Sequence, residues 1–221
     1  MITIQELYDL TKTYPQAAEY LNRFTYPWEA LKGIKDLILE IGATLSPEEF
    51  DHPEETVWIA KDAAVFKTAY IGPYTIIGHG TEVRQCAFIR SNALVGNGCV
   101  VGNSTELKNV ILFDSVQVPH YNYVGDSILG YKAHMGAGSI TSNVKADKQL
   151  VVIHNGEEQI ETGIKKVGAM LGDYAEIGCN SVLNPGTVIC RNANVYPLSS
   201  VRGVVPAESI FKGPGNIVKK A

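Results

Sequence analysis

The chain has 221 residues, 45% of them hydrophobic, which suffices for one core with a small accessory segment and is too short for two full-sized catalytic domains. Lys plus Arg number 19 against 23 Asp plus Glu, a net charge of -4, so no global positive field favours nucleic acid or an anionic membrane, and any anion needs a local basic cluster. The four cysteines, Cys86, Cys99, Cys179 and Cys190, are widely spaced without a C-x-x-C pair, which argues against a disulfide framework or structural zinc and for a reducing cytoplasm. The first residues, Met1 to Glu6, carry acid and no basic n-region, and no apolar run approaches the roughly 18 residues of a membrane span, so neither secretion nor membrane insertion is expected.

Residues 1–56 follow a helical period. Ile4 to Phe24 reads as a helix interrupted near Pro15, Pro27 to Ile41 as an amphipathic helix that Pro27 opens and Gly42 stops, and Ser46-Pro47-Glu48-Glu49 as the capping box of a short third one. Such a segment either caps one open end of the domain that follows or docks a partner as a lid.

From Ile59 the period changes to six. Ile59, Val65, Ile71, Ile77, Val83, Ile89, Val95, Val101 and Leu107 recur six apart, and a small residue follows four positions after each of the first eight, from Ala63 and Ala69 to Cys99 and Thr105. The pattern resumes at Leu171, Ile177, Leu183, Ile189, Val195 and Val201. One large and one small inward residue per hexapeptide describes a face of a triangular parallel β-helix, with three hexapeptides closing an eighteen-residue coil. Gly72, Gly78, Gly96, Gly102, Gly172 and Gly178 are expected at corners with unusual backbone angles. The repeat resembles the hexapeptide-repeat, left-handed β-helix family. The expected fold is mainly β: a left-handed parallel β-helix over 57–206, preceded by the helical 1–56 cap and followed by a 207–221 tail.

Function is sought where the repeat breaks. The step is eleven between Leu107 and Val118 and five between Val124 and Leu129, and a long interruption separates Thr141 from Leu171. That interruption predicts a loop ejected near 142–166, with a hairpin at Asn155-Gly156, either a functional arm toward a neighbouring subunit or a passive insertion. Arg84, Arg90 and Lys108 occupy corner slots that neighbouring repeats give to Gly or Ala. Arg90 and Lys108 are eighteen residues apart, so they should stack at about 5 Å, either as two solvated cations or as a phosphate clamp. His120 lies beside a register break near that edge, and a neutral imidazole suits removal of a proton from an amine or hydroxyl nucleophile. Gly136-Ala137-Gly138 would let backbone N–H groups approach a ligand.

These segments resemble the acetyltransferase domain of the bifunctional glucosamine-1-phosphate N-acetyltransferase/N-acetylglucosamine-1-phosphate uridyltransferase family and the β-helical ends of sugar-1-phosphate nucleotidylyltransferases. The resemblance covers about 57–206 and is closest from Phe88 to Asn143, through Val101 to Asn109, the His120/Tyr123/Gly125-Asp126 cluster and Gly136 to Asn143. It implies that Arg90 and Lys108 hold a sugar phosphate, His120 is the general base, Tyr123 and Asn143 position the sugar, and Gly136, Ala137 and Gly138 lie along the acetyl-CoA site. It further implies direct transfer from acetyl-CoA to an amino-sugar 1-phosphate, glucosamine-1-phosphate first, in the supply of UDP-N-acetylglucosamine. The enzyme would be a cytoplasmic homotrimer with acetyl-CoA between adjacent coils and with no metal. The tail from Phe211 to Lys220 either meets the CoA phosphates or stays disordered. The chain departs from the family pattern at Val144, where an aromatic is usual, at Gln149, which takes the place of the expected lysine with Lys148 beside it, and at His134 in place of Asn. Residues 1–56 lack a Gly-rich nucleotide-binding strand-loop, so pyrophosphorylase activity is not expected. The rivals are a noncatalytic sugar-phosphate or sugar-nucleotide-binding subunit and a β-helical zinc carbonic anhydrase. The latter needs a close histidine pair that His52, His79, His120, His134 and His154 do not provide.

Overall fold

A computed structural model describes residues 2–220. From Val57 the chain winds as a left-handed parallel β-helix, and the described residues make about nine turns. The six-residue aliphatics form its axis: Ile77, Val83, Ile89, Val95, Val101 and Leu107 are fully buried, and Ala87, Ala93, Cys99 and Thr105 fill the space beside them. On the first face Thr75 pairs with Ala93, Ala93 with Val110 and Val110 with Ser127, and beyond the insertion Met170 pairs with Val188. The second face runs through Glu82, Val100, Gln117, His134, Glu176 and Asn194. The third runs through Phe88, Glu106, Tyr123, Ile140, Val182 and Ser200.

The corner glycines serve a different purpose from the one expected. Left-handed backbone occurs at non-glycine corners such as Tyr74, Cys86, Asn109, Tyr121 and Asp126. Gly72 and Gly102 instead sit where a Cβ would strike the backbone of the next lap, at Arg90 and Pro119. What those positions lack is room between coils, not a permitted φ.

The first face is buried on both sides. Ile76, Leu94, Ile111 and Ile128 alternate with the axial residues, so they point away from the axis, and all four are nevertheless fully buried. The N-terminal segment covers them, which corrects the expectation that it caps an end. It comprises helices at Ile4–Leu7, Pro15–Leu21 and Ile34–Gly42, with a 3-10 turn at Pro27–Gly33. Pro15 and Pro27 open their elements at the position where a missing N–H costs nothing. Ser46 starts a single turn rather than a third helix, with Glu49 and Phe50 donating to its carbonyl. The layer is tied along the coil: the Tyr8 hydroxyl donates to the Ile128 carbonyl at 3.3 Å, and the Asp114 and Asp173 N–H groups donate to the Lys12 and Leu7 carbonyls. The coil's own first edge is instead flanked by Phe50–Glu54, antiparallel to Val57–Ala60.

The insertion leaves the coil after Thr141 and contains the expected hairpin, Val152–Asn155 against Glu158–Glu161. It folds back on its own coil: Val151 and Ile153 are fully buried, and Gly186 and Gly203 leave space for Val151 and for the His154 backbone. The last segment is ordered as well. Ser209–Gly213 extends the second face beside Asn194–Val195, and Asn216–Lys219 returns antiparallel to it. Lys212 lies over the Tyr196 ring and Lys220 donates to Asn192, contacts that correct the reading of a disordered basic tail. No helix among the described residues is long and apolar enough to cross a membrane.

Candidate active site

The irregular steps in the repeat all fall at one edge of the prism. Leu107 to Leu112 and Val124 to Leu129 are five-residue steps at the same corner of successive laps, so each of those laps is one residue short. The register therefore slips at this edge. Ile89 still faces Leu107, but Ser91 faces Lys108, and Lys108 in turn faces Gly125. The expected stack of Arg90 directly over Lys108 does not form, because Arg90 is the extra residue of its lap.

Each cation meets a carboxylate instead. Arg90 Nη1 lies 3.0 Å from Glu106 Oε1, and Lys108 Nζ lies 2.9 Å from Asp126 Oδ1. Asp126 is the hub of the corner. Its side chain is buried, Oδ1 also accepts from Asn109 Nδ2 at 2.9 Å, and Oδ2 accepts from Asn143 Nδ2 at 2.6 Å. Three donors satisfy both oxygens, which offsets the cost of burying the charge. The carboxylates also explain how cations on neighbouring laps coexist without an added anion. The Glu106 contact raises the Arg90 pKa above its ordinary value, so the guanidinium stays charged.

Tyr123 completes the group, its Cα facing Glu106 and its hydroxyl accepting from Asn143 Nδ2 at 3.2 Å. Burial, and then the charges of Asp126 and Glu106, push the phenol pKa up, so it stays protonated and its O–H remains a donor. The structure thus brings Tyr123, Asn143 and Lys108 together around Asp126, with the Arg90–Glu106 pair alongside. Asp126, Glu106 and Asn109 had no role assigned from the sequence. The paired five-residue steps were the signal that could have found them.

His120 is not at the edge of Arg90 and Lys108, where it was expected, but at the other end of the same face, at the preceding corner where the Gln117–His120 strand ends. It is exposed, and among the described residues its ring makes no hydrogen bond, while its N–H donates to Asn122 Oδ1 and its carbonyl accepts from Gly138 N–H at 2.9 Å. That last bond places Gly136-Ala137-Gly138 on the lap directly beyond His120. The glycine N–H groups are themselves engaged in stacking, Gly136 with the Ile177 carbonyl and Gly138 with that of His120, which corrects the reading that they are free for a ligand. Asn122, buried below, donates to the carbonyls of Gly136 and Ser139 and locks this corner. Among the described residues no group of three or more His, Cys, Asp or Glu is arranged to hold a metal ion.

With this geometry in place, relatives are informative. The bifunctional protein GlmU of Methanococcus maripaludis is 30% identical over 204 residues, 91% of this chain and 49% of that protein. The chain resembles GlmU. The bifunctional sugar-1-phosphate nucleotidylyltransferase/acetyltransferase of Sulfurisphaera tokodaii is 30% identical over 156 residues, 71% of this chain and 39% of that protein. The chain thus spans about half or less of the length of these GlmU-like relatives. Among solved structures, the polySia-specific acetyltransferase NeuO aligns at a TM-score of 0.42 and 12% identity, covering 75% of this chain and 82% of that one. The acetyltransferase domain of PglB from Neisseria gonorrhoeae, in complex with acetyl coenzyme A, aligns at a TM-score of 0.34 and 14% identity, covering 74% and 57%. No protein-family model matches the chain.

Proposed function

We propose that this chain is an acetyl-CoA-dependent N-acetyltransferase acting on an amino-sugar 1-phosphate, with glucosamine-1-phosphate the first acceptor to test. The observation that carries this reading is the corner itself: Lys108, Tyr123 and Asn143 gathered on buried Asp126, Arg90 beside them, and an unengaged imidazole on the same face. The relative from Sulfurisphaera tokodaii, a bifunctional sugar-1-phosphate nucleotidylyltransferase/acetyltransferase, supports the same reading.

In this reading the sugar phosphate sits at Arg90 and Lys108. Arg90 spends one of its five donors on Glu106 and Lys108 one of its three on Asp126, so both keep capacity for an oxyanion. Tyr123 donates its retained proton to the sugar and Asn143 fixes the Tyr123 hydroxyl. His120 removes a proton from the attacking amine as its nitrogen bonds to the thioester carbonyl carbon. The C–S bond breaks, the CoA sulfur leaves with the electron pair, and the proton held by His120 returns to it. Acetyl-CoA would lie along Gly136, Ala137 and Gly138, adjacent to His120 through the Gly138 N–H bond.

Assembly as a homotrimer, with acetyl-CoA between coils, is part of the proposal. It is supported by the exposed Val65, Phe66, Tyr70 and Phe88, an apolar patch on the early laps with Tyr70 and Phe88 in ring contact. Light scattering of the purified chain checks this, a monomer counting against it. The function is tested by thiol release from acetyl-CoA with glucosamine-1-phosphate, galactosamine-1-phosphate and glucosamine-6-phosphate. Release with a 1-phosphate supports the reading; tight acceptor binding without release makes the chain a noncatalytic binding subunit instead.

A further inference from the structure

The N-terminal layer and the insertion meet at Asp126. A groove of about 310 Å³ lies there, lined by Leu31 and Lys32 of the layer, Asn109 and Asp126 of the coil, and Ile164, Lys165 and Lys166 at the exit of the insertion. All three walls are fixed by hydrogen bonds. Asn109 Nδ2, which binds Asp126, also donates to the Leu31 carbonyl at 3.2 Å and ties the 3-10 turn to the coil. On the opposite side Val167 N–H donates to the Asn143 carbonyl at 3.1 Å and Gly168 N–H to the Asp126 carbonyl at 2.8 Å, so the insertion exit is pinned to the same two residues.

The charges of this groove are unbalanced. Lys32, Lys165 and Lys166 are exposed, and among the described residues none is paired with a carboxylate. The one carboxylate in the lining, Asp126, already accepts from Lys108, Asn109 and Asn143. Three exposed lysines that line one groove, none of them paired with a carboxylate among the described residues, supply the charge to hold a multiply charged anion there.

The geometry points to a phosphate site in this groove, in which Lys32 of the N-terminal layer and Lys165 and Lys166 of the insertion hold a phosphate oxyanion of the acceptor. This rests on the reading of the adjacent corner as an acceptor site. Because the phosphate next to the sugar is already placed at Arg90 and Lys108, the occupant of the groove is a further phosphate, such as the outer phosphate of a nucleoside-diphosphate amino sugar. The N-terminal layer thereby has a role beyond covering the first face: through Leu31 and Lys32 it supplies one wall of the acceptor site.

The test has a binding arm that needs no turnover. Titration calorimetry of the whole chain with inorganic pyrophosphate, without acetyl-CoA, should show binding that weakens about tenfold for each of Lys32→Ala, Lys165→Ala and Lys166→Ala. Lys67→Ala, on a distant early lap, should leave it unchanged. Pyrophosphate that fails to bind the parent chain, or binds the triple variant within twofold of it, overturns the proposal, as does equal weakening by Lys67→Ala. In the kinetic arm the three substitutions should raise the acceptor KM and spare both kcat and the acetyl-CoA KM. A larger rise for a nucleoside-diphosphate amino sugar than for the 1-phosphate identifies the outer phosphate as occupant, and the reverse overturns the proposal. A parent chain that binds pyrophosphate through these lysines but transfers no acetyl group overturns the enzymatic reading and leaves the anion site standing.

Discussion

Ser91, not Arg90, faces Lys108 across the ladder, and this one-residue slip sends the two cations to different carboxylates. Their substitutions should therefore differ in kind. Arg90 is half exposed, so Arg90→Ala should raise the acceptor KM about tenfold with an unchanged urea midpoint. Lys108→Ala should raise KM similarly and also cost about 1–3 kcal/mol, because it removes the cationic donor of a buried carboxylate. Equal stability losses in the two variants would contradict this division.

Removing the hub itself should be more severe. Asp126→Ala leaves Lys108, Asn109 and Asn143 without their common acceptor, and the expected destabilisation is about 3–5 kcal/mol in a urea melt. A loss below about 1 kcal/mol would show that the corner is held by its backbone ladder alone.

Among the described residues the His120 ring makes no hydrogen bond, so His120→Ala should fold as the parent does. Its expected effect is a fall in kcat of about 10²–10⁴, with acetyl-CoA binding retained by calorimetry. Full activity in this variant would assign the base elsewhere.

The phenol of Tyr123 is expected to ionise above the ordinary value of 10.0 because burial, Asp126 and Glu106 all oppose the phenolate. The sign follows by linkage: the fold favours the neutral form, so its stabilising contribution is intact below the ordinary value and is lost as pH rises through the raised one. Tyrosinate absorbance of the parent minus that of Tyr123→Phe should show this late transition. A difference spectrum centred below 10.0 would rule the environment out.

Thiol chemistry offers an independent check on the coil. Burial pushes Cys99 up to about 12 and Cys190 up to about 11, whereas Cys86 and Cys179 are exposed. A thiol reagent at neutral pH should label Cys86 and Cys179 in the folded chain and the other two only after denaturation. Rapid labelling of Cys99 would mean that the axis is open at that lap.

The coil was legible because its inward positions are set by a strict local rule, an aliphatic every six residues with a small partner, which a single sequence displays in full. The interruption after Thr141 and the Asn155-Gly156 hairpin were legible for the same reason. The course of the N-terminal helices was not, because helical period reports which side of a helix is apolar and not what covers it. A clue lay elsewhere, in the doubled aliphatics Ile76-Ile77, Leu94-Val95, Ile111-Leu112 and Ile128-Leu129, which mark a strand without a solvent side. Arg90 and Lys108 were singled out by spacing, but their register depended on a deletion between them, which a fixed period cannot report.

Those doubled aliphatics leave the prism with one dry wall and two hydrated ones. A second molecule that shares a ligand with this one can approach the dry wall only by stripping away a layer that carries Trp28, Leu37, Ile38 and Ile41 in its interior. Any intersubunit chemistry would thereby be confined to the hydrated walls, and the face bearing Tyr123 and Ile140 between its two candidate corners is one of them.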